Sequence, residues 1–245
     1  MTTITRSRVR RPRLTVALVG PDGAGKSTVS SRLSEADLPR PVKVIYMGVN
    51  LEASSLMLPT TRLLLAVKRA RGRRADLVAS PIRDLEPVGQ DTGSSSAGSA
   101  TAAGSVKEAV RLGVWMTEEW LRQLVAAAYA RRGSIVVFDR HFYADYYHSD
   151  VLDNGPRSRV RRFHGWMLRH GYPKPSLTIV LDAPAERLHA RKPEATVAWL
   201  AWRRGQYLEL AETLPDVEVL DVDRPIDSVM ADVADLIRTS WKARA

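Results

Sequence analysis

The sequence predicts an α/β domain, an open parallel sheet with helices on both faces, and three observations carry that reading. Five short runs rich in branched apolar residues recur along the 245 residues: Leu14–Val19, Val42–Tyr46, Ile135–Phe138, Leu177–Leu181 and Val217–Leu220. Helical patterns separate them, so strands and helices alternate as in βαβ units. Most of the runs are too apolar for a strand with one wet face, as expected when helices cover a parallel sheet on both sides.

Taken in order, residues 1–13 read as a disordered basic tail and 14–241 as one domain, a size that buries a single substantial core. A helix is expected over Ser27–Leu33, directly after the first strand and a glycine-rich turn. The rhythm breaks over 51–105. A helix is expected at 56–71, and 84–105 reads as a flexible Gly/Ser/Ala-rich insertion, with GQDTGSSSAGSATAAGS at 89–105 offering almost nothing to bury. It is a loop insertion and not a boundary, because neither flank completes a domain alone. Val106–Arg131 carries apolar residues at 110, 114, 121, 124, 125 and 128, near helical spacing. Further helices are expected at Val160–Leu168, Thr196–Thr213 and Ile226–Trp241.

Composition narrows the chemistry. The chain has no cysteine, which excludes disulfide scaffolds, thiolate zinc sites and cysteine nucleophiles. Its five histidines show no metal-ligand spacing. No apolar run approaches the roughly 20 residues of a membrane span, and the basic start has no apolar segment behind it long enough for a signal peptide. A cytoplasmic location and no membrane partner are therefore expected. The net charge of +10 favours anionic partners, phosphorylated small molecules or nucleic acid, with solvated arginine as the alternative.

The chemistry begins at Gly20-Pro21-Asp22-Gly23-Ala24-Gly25-Lys26-Ser27-Thr28, which fits G-x-x-x-x-G-K-[ST] between a strand and a helix. Glycines let backbone N–H groups converge on phosphate oxygens, and the helix directs its positive end at the same anion. Lys26 would neutralise charge on the transferring phosphate and Ser27 would take a place on Mg²⁺. The residues 20–28 are therefore the expected ATP site of a P-loop NTPase.

Two further stretches favour a kinase. IVVFDRHFYADYY (135–147) puts Asp139 and Arg140 where a strand ends, the end that faces the ligand crevice of an open α/β sheet. The carboxylate could order the metal or accept a proton, and the guanidinium could clamp a phosphate; a surface ion pair is the plainer alternative. LTIVLDAPAERLHARKPEA (177–195) follows another strand with Arg187 and Arg191, four apart and so on one helical face, then Lys192. Two cations on a short segment suit a lid closing over phosphates; a solvated helix end would look the same.

In GPDGAGKST, FDR (138–140), LDAPAERLHARK (181–192) and RRGQYLELAE (203–212), in that order, the sequence resembles the thymidylate kinase-like P-loop nucleotide kinases. The resemblance covers 14–240, with 51–105 unmatched. It implies a five-stranded sheet of order 2-3-1-4-5, Mg·ATP as donor and phosphoryl transfer to a small acceptor, with a homodimer as the family's habit. It also implies that Asp22 meets an acceptor hydroxyl and that 221–225 lies near adenine.

The departures concern the acceptor. Val19 stands where the family has an acidic residue, and YMGVN (46–50) replaces its Arg-Glu-Pro. An ungapped count back from Asp139 puts Glu118 where the family's base-contacting arginine stands, and Val114 where its stacking phenylalanine stands. A carboxylate there reverses the hydrogen-bond polarity. Acceptor candidates are Asp22, Glu118, Arg140, Tyr143 and Asp145, with HFYADYYH (141–148) supplying aromatic and hydroxyl groups. Arg157, Arg159, Arg161 and Arg162 precede Phe163 and Trp166, read as a helix with a solvated basic face and a buried aromatic one.

The expected activity is an Mg·ATP-dependent kinase in which Lys26, Asp139, Arg140, Arg187 and Arg191 carry catalysis and Ser27 and Asp139 hold the metal. A nucleoside monophosphate is the first acceptor, dTMP included, and a phosphosugar or other hydroxyl compound the second. A nucleic-acid-associated NTPase is the competing class; no stretch resembles a base-reading module, so nucleic acid is not the expected partner.

Overall fold

The computed structural model describes residues 13–48, 102–152 and 159–245. All five expected strands are present: β1 (Thr15–Val19), β2 (Val42–Tyr46), β3 (Ile135–Asp139), β4 (Leu177–Asp182) and β5 (Val217–Asp221). They form one parallel sheet of order β2-β3-β1-β4-β5. The helices are α1 (Lys26–Leu33), α2 (Ala102–Arg131), α3 (Phe142–Tyr147), α4 (Arg159–His170), α5 (Ala185–Arg191), α6 (Val197–Thr213) and α7 (Ile226–Lys242), with a π-helical turn at His148–Leu152.

The strands alternate their side chains between two cores. Val16 and Leu18 of β1 join Val29 and Leu33 of α1 and Val233 and Ile237 of α7. Ala17 and Val19 point the other way, to Ala126 of α2, Phe142 of α3 and Leu168 of α4. The three central strands are buried nearly throughout, whereas β5 at the edge is largely half-buried or exposed. An edge strand has only one neighbour to shield it.

Three sequence expectations change. The helix α2 begins at Ala102, so the last four residues of the expected insertion are helical. Its buried stripe is not the apolar one: Trp115, Glu118, Glu119, Arg122, Gln123, Ala126 and Ala130 face inward, while Val110 and Leu124 are exposed. On α4 the aromatic residues are not buried either, Phe163 and Trp166 being 53% and 54% exposed and stacked on each other. Gly165 is the reason. A Cβ there would lie 2.1 Å from the Asp150 carbonyl oxygen, so α4 closes onto the π-helix through its glycine face and turns the two rings outward. The basic tail (1–12), the helix expected at 56–71 and the rest of the insertion lie outside the described residues.

Candidate active site

The turn between β1 and α1 takes its shape from its glycines. Gly20, Gly23 and Gly25 all have positive φ, a region that side chains disfavour. Gly20 and Gly23 also admit close neighbours: an added Cβ would lie 2.4 Å from the Leu181 oxygen and 2.5 Å from the Leu188 oxygen, respectively. The loop is thereby set tightly against β4 and α5. Its mouth opens on a cavity of about 500 Å³ lined by Asp22 through Val29, Arg32, Arg140, Arg191, Lys192 and the β5–α7 connection.

Lys26, 4% exposed, donates to the Gly20 oxygen at 2.7 Å and the Pro21 oxygen at 2.6 Å. Burial, with the Arg140 charge next, pushes this ammonium down to about 7, against the opposing pull of Asp22, Asp145 and Asp139. Ser27 and Thr28 are exposed at the start of α1, where backbone N–H groups have no helical acceptor.

The end of β3 supplies the opposing wall. Asp139 pairs in register with Leu18, the penultimate residue of β1. Its Oδ1 atom is buried and accepts no hydrogen bond among the described residues. A buried carboxylate oxygen without a donor is costly unless a cation completes it. Arg140 is the one non-glycine residue with positive φ among the described residues, at 66°, and its Nη2 donates to Asp22 Oδ1 at 2.6 Å. Such a conformation persists where surroundings enforce it. Burial works to raise the Asp22 carboxyl, but Arg140 and then Lys26 outweigh it and hold the group below the usual carboxylate range.

The structure brings Asp22, Gly23, Ala24, Gly25, Lys26, Ser27, Thr28, Arg140 and Arg191 to one cavity. Gly20 and Pro21 serve it from behind as acceptors for Lys26. Arg191 donates to the Val222 oxygen at 3.0 Å and to Asp223 at 3.1 Å, which sets it against the β5–α7 wall. Arg187 does not line the cavity; its side chain is 67% exposed and bonded to the other Asp223 oxygen.

Of the acceptor candidates, Asp22 and Arg140 line the cavity, whereas Glu118, Tyr143 and Asp145 are buried on the helices of the other sheet face. Glu118 is fully buried on α2, one turn before Arg122, which donates to the Gly48 oxygen at 3.2 Å. Tyr143 and Asp145 are buried on α3, whose N-cap is His141, itself pushed down to about 3 by burial and so neutral, with Nδ1 accepting from the Tyr143 N–H. Asp145 Oδ1 accepts from Tyr207 at 2.7 Å and from Arg203 at 3.2 Å. A second buried set joins Asp150 to His164 and Arg161, each at 2.6 Å.

Sequence reasoning missed Arg32 of the cavity wall, and Arg122 and Arg203 of the buried half. Arg203 had a signal: Leu200, Arg203, Tyr207 and Leu210 fall on one helical face, and that face is the buried one. Arg122 shares a face with Glu118, but nothing in the sequence marks that face as inward.

No group of three or more metal-ligating side chains occurs among the described residues. A phosphate-borne Mg²⁺ takes one or two protein oxygens and leaves the rest to phosphate and water. Asp139 and Ser27 fit such a set. No helix among the described residues is long and apolar enough to cross a membrane.

No protein-family model matches the chain, and no curated protein does. Among solved structures it is similar to the thymidylate kinase of Candida albicans, reported to reveal the origin of broad substrate specificity. The TM-score is 0.58, with 18% identity, 93% of this chain covered and 92% of that one. The five-stranded order, the turn after β1 and this likeness over nearly the whole length establish a thymidylate kinase-like P-loop fold.

Proposed function

We propose that this protein is an Mg·ATP-dependent kinase that passes the γ-phosphoryl group to a nucleoside monophosphate. The observation that carries the reading is a buried lysine in a glycine-built turn that opens on the cavity, together with a buried Asp139 oxygen that accepts no hydrogen bond among the described residues, next in the chain to the cavity residue Arg140. The chain's own groups then have distinct tasks. Loop N–H groups and the start of α1 hold the β- and γ-phosphates, and Lys26 exchanges its two carbonyl partners for phosphate oxygens. Arg140 and Arg191, on facing walls, stabilise the charge of the group in transit. Ser27 and Asp139 would hold Mg²⁺, which supplies charge neutralisation on the phosphate oxygens. The P–O bond to the β-phosphate breaks as a bond to the acceptor oxygen forms. A nucleoside monophosphate oxygen is already largely deprotonated at pH 7, so no general base is required.

A phosphosugar or other hydroxyl acceptor is the second reading. Glu118 is buried, and the ungapped count that sets it opposite the family's base-contacting arginine would favour an acceptor that donates a hydrogen bond. A hydroxyl nucleophile would also need to lose a proton, a task that would fall to Asp139. Coupled ADP release across nucleoside monophosphates, nucleosides and phosphosugars decides between them. Acceptor-dependent ADP production, lost in Lys26→Ala, supports the kinase and names its acceptor. ADP formation stimulated only by nucleic acid would replace the kinase with a nucleic-acid-associated NTPase.

A further inference from the structure

α6 carries two successive arginines to opposite halves of the protein. Arg204 reaches Asp182 at the end of β4 with two bonds, at 2.6 and 2.8 Å. The Asp182 carbonyl accepts from the N–H of Val222, a wall residue of the nucleotide cavity. Arg203 points the other way. It is 5% exposed, donates to the Asp145 side chain at 3.2 Å and its carbonyl at 3.3 Å, and lies over the Tyr207 ring at 4.8 Å. Its remaining partners are Gln206 Oε1 and the Tyr207 hydroxyl, which itself donates to Asp145.

A guanidinium buried this deeply is costly, and a hydrophobic residue of similar volume usually serves packing as well or better. What the ion pair adds is geometry, with a planar donor fork setting one carboxylate in one place. That carboxylate sits on α3, which begins two residues after Arg140, a wall residue of the nucleotide cavity. The helix that bears Arg203 is anchored at the other end too. Its Leu200 packs with Leu188 of α5 in the core beneath α1 and α7, while its Tyr207 and Leu210 pack in the core beneath α2. α5 in turn carries Arg191, which lines the nucleotide cavity.

We propose that Arg203 is a positioning residue: through the rigid α6 it transmits nucleotide occupancy to Asp145 and α3, and so sets the acceptor half when the donor is bound. The inference rests on the kinase reading for its nucleotide, but it needs no particular acceptor. Its test is hydrogen–deuterium exchange on the full chain with Mg·ADP as the only added ligand. Binding should protect 20–33, and it should also slow exchange across 142–152 by about threefold or more, a stretch on the opposite sheet face. In Arg203→Lys, which keeps the charge and loses the fork, protection of 20–33 should persist and the response of 142–152 should vanish. The double variant Asp145→Asn/Arg203→Met removes both charges together, so neither buried charge is left without the other; it too should lose the distant response.

Protection of 20–33 without a response at 142–152 in the parent protein overturns the transmission alone. An undiminished response in Arg203→Lys, or its return in the double variant, overturns Arg203 as the agent and leaves it a packing residue. No protection of 20–33 at millimolar Mg·ADP overturns the nucleotide reading, and this inference falls with it.

Discussion

The two sheet faces treat charge in opposite ways. On the nucleotide side the cationic groups border an open cavity, with Arg191 and Arg32 half in solvent and Ser27 and Thr28 exposed. On the other face, the proposed acceptor side, Glu118, Glu119, Arg122, Asp145, Asp150, His164 and Arg203 are all buried. A donor common to many enzymes can be gripped through phosphates by backbone and dipole. An individual acceptor has to be told apart by shape and hydrogen-bond polarity. That discrimination asks for polar groups fixed in position and shielded from water, where an unmatched partner is penalised.

The largest expected effect breaks the nucleotide side. Lys26→Ala should lower phosphoryl transfer at least about a thousandfold while the protein still melts cooperatively, because the lost group acts on charge that develops during transfer. Activity within tenfold of the parent would remove the lysine from the mechanism.

Next comes the buried half. Burial holds the Glu119 carboxyl up at about 7, against the lowering influence of His164, the Tyr172 hydroxyl and Arg122, with Asp145 adding to the rise. Between the ordinary carboxylate range and 7 the folded chain keeps a proton that the unfolded chain has lost. Its contribution to stability is thus full below that range and is lost as pH rises through about 7. Glu119→Gln cannot titrate, so against the parent its stability should improve between pH 5 and pH 8 by on the order of 3 kcal/mol at most. Melting curves across that range test it, and a difference independent of pH would sink it.

Gly23→Ala sharpens the contrast from the loop side. Its Cβ would press on the Leu188 oxygen at a positive φ, which should cost about 2 kcal/mol in denaturant unfolding and weaken nucleotide binding together. The smallest effect separates two neighbours on α5. Arg191→Ala should weaken Mg·ATP binding about tenfold by calorimetry, and Arg187→Ala less than about twofold, since an exposed pair contributes little. Equal losses would place both arginines in the lid role.

Much of the nucleotide side was legible in advance because its parts are contiguous. Gly20 to Thr28 form strand end, cradle and helix start in nine neighbouring residues, and Asp139-Arg140 announce themselves by ending an apolar run. The same reasoning gave no inward face for α2 and misread that of α4. Apolar spacing at Val110 and Leu124 identified a helix but not its inward face, which sets Glu118, Glu119 and Arg122 among Trp115, Ala126 and Ala130. Phe163 and Trp166 were assigned inward because they are aromatic, whereas one glycine-to-carbonyl approach at Gly165 set the rotation of their helix.

By itself the sequence determined the strand order's raw material and the anion cradle, since both follow from local backbone preferences and from hydrophobic runs that only a covered sheet can bury. Only the tertiary structure decided which charged groups meet in the buried half beneath α2. Arg203 finds Asp145 58 residues away, and Tyr172 finds Glu119 across 53. Such partners are chosen by how helices rotate as they pack, a choice made by close approach between surfaces that no short stretch of chain contains.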